Sequence, residues 1–195
     1  MGSIFTNYSN RPVNVALKAT VCKCELSISD MDRHYYHSHS LTIARHPSEN
    51  DLCMMIRILA FALNAHEEMQ FTKGLSTQDE PDVWLKNLSD EIELWIDLGQ
   101  IEEKRLRQAC GKAKQVALFT YNDKQAAPWW QLMEKHFARH KNLSVYHIHS
   151  EDGEALSSLA NKSMELQVSI QDGEVFITSG EQSIQLRVKT VYSNS

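Results

Sequence analysis

Apolar and polar positions alternate along residues 15–29, putting Cys22, Cys24, Leu26 and Ile28 on one face, and they alternate again over residues 34–44. A period of two sends successive side chains to opposite faces of an extended chain, so the two stretches are predicted to pair as a long hairpin. The spacing then lengthens to three and four. Leu52, Met55, Ile56, Leu59, Ala60 and Leu63 form the inward stripe of a helix, with Ser48 as its expected N-cap and the acids of Glu49-Asn50-Asp51 near its electropositive end. Residues 91–100 read as a strand, 101–114 carry helical spacing, and 115–121 read as a buried strand around Val116-Ala117-Leu118-Phe119. Pro128 is expected to open a helix that runs to about Lys141, residues 143–149 alternate as a further strand, and 154–162 form a short helix. Strand, helix, strand, twice over, predicts two parallel crossovers. Residues 166–170, 175–178 and 184–192 alternate around Asp172-Gly173 and Ser179-Gly180, as in an antiparallel meander.

These elements add up to an α/β protein: a mixed central sheet flanked by helices, with an N-terminal β-hairpin and a C-terminal antiparallel meander. The chain has 195 residues, 42% of them hydrophobic, with only 7 Gly and 4 Pro, enough to bury one sizeable core. Residues 15–195 therefore read as a single domain. Residues 1–14 lack periodicity and read as a flexible N-terminal extension. No secretory signal is evident and the longest apolar run is broken by Arg57, so a cytoplasmic protein without a membrane span is expected. Cys22, Cys24, Cys53 and Cys110 show no disulfide framework spacing and read as small core residues. A net charge of −5 argues against non-specific coating of nucleic acid, because that affinity comes from Lys and Arg neutralising phosphates, yet a local basic groove remains compatible with it.

The candidate chemistry lies in Asp79-Glu80-Pro81-Asp82 and in the strand ending Trp95-Ile96-Asp97-Leu98-Gly99-Gln100. A Pro-Asp pair followed by a strand that ends in a second acid is how metal-dependent nucleases present two carboxylates to one hard cation such as Mg²⁺. The plain alternative is turn chemistry for the first acid and a strand-end cap for the second.

The phrases Ala16-Leu17-Lys18-Ala19-Thr20, Ala44-Arg45-His46-Pro47-Ser48-Glu49, Glu80-Pro81-Asp82, Val116-Ala117-Leu118-Phe119-Thr120-Tyr121-Asn122 and Ile170-Gln171-Asp172-Gly173 resemble the bacterial YaeQ family from Val15 to near the C-terminus. The resemblance implies a restriction-endonuclease-like fold, a variant of the PD-(D/E)XK nuclease superfamily. It implies Asp82 and Asp97 as the two metal-site acids, with Glu49 as the helix acid that some members add, and Mg²⁺ or Mn²⁺ as the ion. Gly99 stands where the superfamily's Lys belongs. Gln100 or Lys104 is then the candidate for orienting water and stabilising the phosphate. The function so implied is Mg²⁺-dependent hydrolysis of DNA or RNA; the alternative is a non-catalytic nucleic-acid- or protein-binding module that keeps the fold.

Three further patterns carry chemistry. On the helix predicted for residues 101–114, Lys104, Arg105, Arg107, Lys112 and Lys114 fall on the outer arc, which reads as a phosphate-contacting face or as an ordinary solvated one. Trp129-Trp130 suit base stacking or core anchoring. Cys22 and Cys24 with His34, His37 and His39 on the paired strand form a mixture able to bind Zn²⁺, although core packing explains the thiols, while His147 and His149 read as surface residues.

Overall fold

Alternation does build the hairpin: β1 (Thr20–Asp30) pairs antiparallel with β2 (Tyr35–Arg45), Thr20 opposite Arg45 and Asp30 opposite Tyr35. Cys22, Cys24, Leu26 and Ile28 are all buried on one face, as a period of two requires. The computed structural model describes residues 19–72 and 79–194, so the extension expected at residues 1–14 lies outside the described residues. After the hairpin come α1 (Asp51–Leu63), β3 (Met69–Phe71), β4 (Val83–Lys86), β5 (Ile92–Leu98), α2 (Glu103–Lys112) and β6 (Ala113–Tyr121). The chain continues through α3 (Asp123–Phe137), β7 (Leu143–Ile148), α4 (Ser150–Ser157), β8 (Ser163–Gln171), β9 (Glu174–Ser179), β10 (Gln182–Arg187) and β11 (Lys189–Ser193).

The protein is a mixed α/β fold, but the expectation of one central sheet is corrected: the described residues form two. The hairpin and the meander join through a parallel β1–β8 pairing into a five-stranded sheet, β10-β9-β8-β1-β2. The second sheet has six strands, β11-β7-β6-β5-β4-β3, and contains both expected crossovers, β5–α2–β6 and β6–α3–β7, each with parallel pairing. The expected strand 184–192 divides at Val188. Its apolar positions run on even numbers through Ile184, Leu186 and Val188, then change phase at Val191 and Tyr192, and β11 crosses to pair with β7. The β8–β9 turn takes positive φ at both Asp172 (53°) and Gly173 (75°), the type I′ geometry whose twist suits a tight hairpin.

Two apolar clusters hold the layers together. The larger joins β1, β8 and β9 to α1 and to Ile96, Ala117 and Phe119, while the smaller packs Leu106, Ala109, Met133 and Phe137 of α2 and α3 against Trp95, Val116, Leu118 and Val145. Residues 54 to 62 of α1 are buried without a break, so this helix has no solvated face in its middle and encloses Arg57 as well. Two helix starts differ from expectation. Asn50, not Ser48, caps α1, its side chain accepting from the Cys53 N–H at 2.9 Å, while Ser48 turns to His46 Nδ1 at 2.7 Å. Likewise α3 begins at Asp123 with Pro128 inside it, because the Asn122 carbonyl already accepts the Gln125 and Ala126 N–H groups and starts the helix before the proline is reached. Among the described residues no helix is long and apolar enough to cross a membrane.

Candidate functional site

Asp97 is the penultimate residue of β5 and shares a strand face with Trp95, which turns it toward α2. From α2, Arg105 closes on it as a fork: Nε donates to Oδ2 at 2.8 Å and Nη2 to Oδ1 at 2.7 Å, while Nη2 also donates to the Glu80 carbonyl at 2.8 Å. Asp97 is 1% exposed, so its charge is sustained by this bidentate partner rather than by water. Asp82 stands one residue before the Val83–Ile96 register pair of β4 and β5, its Oδ2 accepting from the Leu98 N–H at 2.9 Å. Burial, reinforced by the nearby Asp97 charge, pushes the Asp82 carboxyl up to about 6, against the pull of the Leu98 N–H and of Arg57 and Arg105. The two acids of the sequence motif are thus brought together.

Glu49 belongs to the same neighbourhood from the α1 side. It lies just ahead of the Asn50 cap, is 6% exposed, and accepts from Arg57 Nη2 at 2.9 Å and from the His46 N–H at 3.2 Å. Arg57 also donates to the Ala44 carbonyl at 2.9 Å, and its Nε is buried without an acceptor. Beside these groups Cys53 and Tyr121 hydrogen-bond to one another; burial lifts the Cys53 thiol to about 12 and raises the Tyr121 hydroxyl too, so both stay protonated at neutral pH.

This donor set decides how well a divalent ion fits. Both Asp97 oxygens and one Glu49 oxygen are engaged by guanidinium groups, and the orphaned Arg57 Nε is a donor, which seeks an anion or an oxygen, not a cation. As arranged, Arg57 and Arg105 supply the positive charge that an ion would bring. Among the described residues, the group of three His, Cys, Asp or Glu side chains whose ligand atoms lie within 4.8 Å of one another is found elsewhere, at Asp123, His147 and His149.

Gly99 explains the missing motif cation. Its φ is +82°, a conformation that L side chains rarely adopt, so the backbone turn itself keeps a lysine out of that position. Gln100 is directed to the backbone, Nε2 donating to the Tyr121 carbonyl at 2.9 Å. Lys104 is exposed and, with Arg105, Glu102, Gln108, Lys112 and Asp79, lines an open cleft of about 620 Å³. The cation that reaches the acids is therefore Arg105, which sequence spacing places on the outer arc; its position eight residues after Asp97, one helical turn into α2, is the signal that points to it. The arc is less uniformly basic than its sequence. Asp79 accepts from Gln108 at 2.9 Å and faces Lys112 at 3.6 Å, and Lys114, already in β6, contacts Glu93 at 2.6 Å and Glu91 at 3.2 Å. Arg107 is exposed. Trp129 anchors the core, its Nε1 donating to the Ile101 carbonyl at 3.0 Å and its ring lying 5.5 Å from that of Phe137.

The histidines at the end of β7 and just beyond it correct the sequence reading. His149 is exposed, but His147 is fully buried, with Trp130 edge-on to its ring at 4.6 Å. Its Nε2 lies 2.7 Å from Asp123 Oδ1, and His149 Nδ1 lies 3.0 Å from the same oxygen. Contact with His147 holds the Asp123 carboxyl well below the usual carboxylate range, with the Ser150 N–H and hydroxyl adding to it. Asp123 carried no signal in the sequence; only the folding of α3 against the end of β7 creates this cluster.

Comparison with known proteins bears on the acid–arginine site through its family. The family model described as YaeQ protein matches residues 15–188. The YaeQ protein of Escherichia coli strain K12, described as uncharacterized, is 41% identical over 174 residues, 89% of this chain and 96% of the relative; its counterpart in Salmonella typhi matches at the same identity and coverage. The crystal structure of YaeQ protein from Xanthomonas axonopodis pv. citri is 42% identical with a TM-score of 0.87, covering 90% of this chain and 99% of that one. The YaeQ protein from Pseudomonas syringae is 30% identical with a TM-score of 0.84, covering 90% and 97%. The matched span holds every residue of the acid–arginine site, and the chain belongs to the YaeQ family.

Proposed function

We propose that the protein acts on the phosphodiester backbone of nucleic acid through the Asp82–Asp97 site, as a hydrolase of nuclease type on a restriction-endonuclease-like arrangement of the six-stranded sheet. One observation carries this reading: a half-buried carboxyl with a pKa of about 6 stands beside an arginine that lines an open cleft. Asp82 accepts a proton from the attacking water near neutral pH, and a phosphate in the cleft meets the Arg105 guanidinium as negative charge develops on it. Water adds to phosphorus, the phosphorus–oxygen bond breaks, and the leaving oxygen takes a proton from solvent. Glu49 and Arg57 hold the α1 side of the site. Lys104, Arg107 and, where its acidic partners release it, Lys114 supply further phosphate contacts. Mg²⁺ or Mn²⁺ enters this reading only if the Arg105 fork opens, and no step above is routed through an ion.

A non-catalytic nucleic-acid-binding module is the second reading, favoured by the saturation of Asp97. The deciding experiment incubates the purified chain with single-stranded, duplex and structured DNA and RNA, in EDTA and in Mg²⁺ or Mn²⁺. Cleavage that disappears in Asp82→Asn and Arg105→Ala supports hydrolysis. Binding without cleavage under every condition replaces it with the second reading.

A further inference from the structure

Further along the same sheet edge, three ligand-type side chains converge from the start of α3 and the end of β7. Thr120 and Tyr121 alternate at the end of β6, so Tyr121 turns to Cys53 while Thr120 turns to His147, its register partner on β7. His147 and His149 are two apart, which puts both rings on one side of the strand end, and Asp123 opens α3 directly above them. This is the C-terminal end of two adjacent parallel strands, where α/β sheets characteristically bind ligands.

Hydrogen-bond accounting points to a cation there. The Thr120 hydroxyl has a single hydrogen, and it is given to the Tyr146 carbonyl at 2.9 Å. The 3.0 Å contact between Thr120 Oγ1 and His147 Nδ1 is then a bond donated by Nδ1–H. A neutral imidazole so protonated aims the bare lone pair of Nε2 at Asp123 Oδ1, 2.7 Å away, and His149 Nδ1 faces the same oxygen at 3.0 Å. Lone pairs at such distances repel unless a positive centre, a second proton on the ring or a metal ion, lies between them.

We propose that Asp123, His147 and His149 form a binding site for a divalent transition-metal cation of the zinc type. Two imidazole nitrogens and one carboxylate oxygen are the ligand set such ions prefer, and ligands bound at about 2.0–2.1 Å stand about 3 Å or slightly more from one another, close to the spacing found here. The set is braced from behind. Thr120 fixes the His147 ring through Nδ1–H, and the Ser150 N–H, at 3.0 Å, fixes Asp123 Oδ2, as outer partners commonly do for metal ligands. Asp123 and His149 are about half exposed, so the ion has an entry path and its remaining positions face water.

The test is titration of the untagged full chain with Zn²⁺ alone, followed by calorimetry, and with Co²⁺, followed by its visible absorption. One saturable Zn²⁺ per chain and a Co²⁺ spectrum of nitrogen and oxygen ligation are expected. Since losing an outer partner already costs about 10–100-fold in metal affinity, Thr120→Val should weaken Zn²⁺ by about that factor and His149→Ala by more. His149 is exposed, so its replacement leaves the fold intact. Absence of saturable binding in the wild-type chain, or affinity unchanged in His149→Ala, overturns the site; unchanged affinity in a Cys22→Ala, Cys24→Ala chain supports it against the hairpin thiols.

Discussion

Two carboxylate clusters close the same edge of the six-stranded sheet, and they balance their charge in different ways. At Asp82, Asp97 and Glu49 the positive charge is built in: Arg105 forks onto Asp97 and Arg57 pairs with Glu49. At Asp123 the partners are imidazoles, whose charge depends on what binds them. The first cluster sits among buried groups that need a permanent counter-charge, and guanidinium supplies one at any physiological pH. The second is half open to water, and a histidine pair leaves its charge to be set by a proton or a metal. A carboxylate cluster thus identifies a site, while the kind of cation facing it decides whether that site is already filled.

The largest test of this contrast removes a built-in cation. Arg57→Met leaves Glu49 buried and unpaired, so urea unfolding should show a loss of about 3–5 kcal/mol. A loss below about 1 kcal/mol would mean that Glu49 does not rely on Arg57. Arg105→Ala comes next. Its guanidinium is partly exposed, so a loss of about 2–3 kcal/mol is expected, and Mg²⁺ should now raise the Tm where it does not in the parent chain, because both Asp97 oxygens are released. Equal Mg²⁺ response in the two chains would break the proposed substitution of arginine for ion.

Asp82 has a smaller effect with a definite sign. A carboxyl raised from 3.8 to about 6 in the folded state binds its proton more tightly there than in the unfolded chain. Its contribution is fully present below about pH 4 and is lost as pH rises through about 6. Asp82→Asn should therefore stabilise the protein above pH 6 by about 1–2 kcal/mol, below the roughly 3 kcal/mol limit set by the shift, and change little at pH 4. Denaturation at the two pH values checks this; a variant less stable at pH 7 than the parent would show that the acid is not strained. The smallest effect belongs to His149→Ala, with less than about 1 kcal/mol expected without metal, since exposed pairs contribute little. Thermal unfolding of this variant and the parent, with Zn²⁺ and without, shows whether the half-open cluster behaves unlike the closed one.

The sequence by itself determined the local elements and the family. A period of two or of three to four places most strands and helices because burying one face of each is a local requirement, and the matched motifs Glu80-Pro81-Asp82 and Val116-Ala117-Leu118-Phe119-Thr120-Tyr121-Asn122 sit within the span that the family model covers. The phase change after Val188 was also written in the chain, though its meaning, a strand that leaves one sheet for the other, depends on pairing between distant segments. Tertiary structure alone decided the rest. Spacing puts Arg105 on an outer arc, but the packing of α2 on β5 turns it inward to Asp97; alternation puts His147 at the surface, but α3 covers it with Trp130 and sets Asp123 against it. Long-range contacts of this kind have no period, and what they assemble is a charge balance, which belongs to no single segment of the chain.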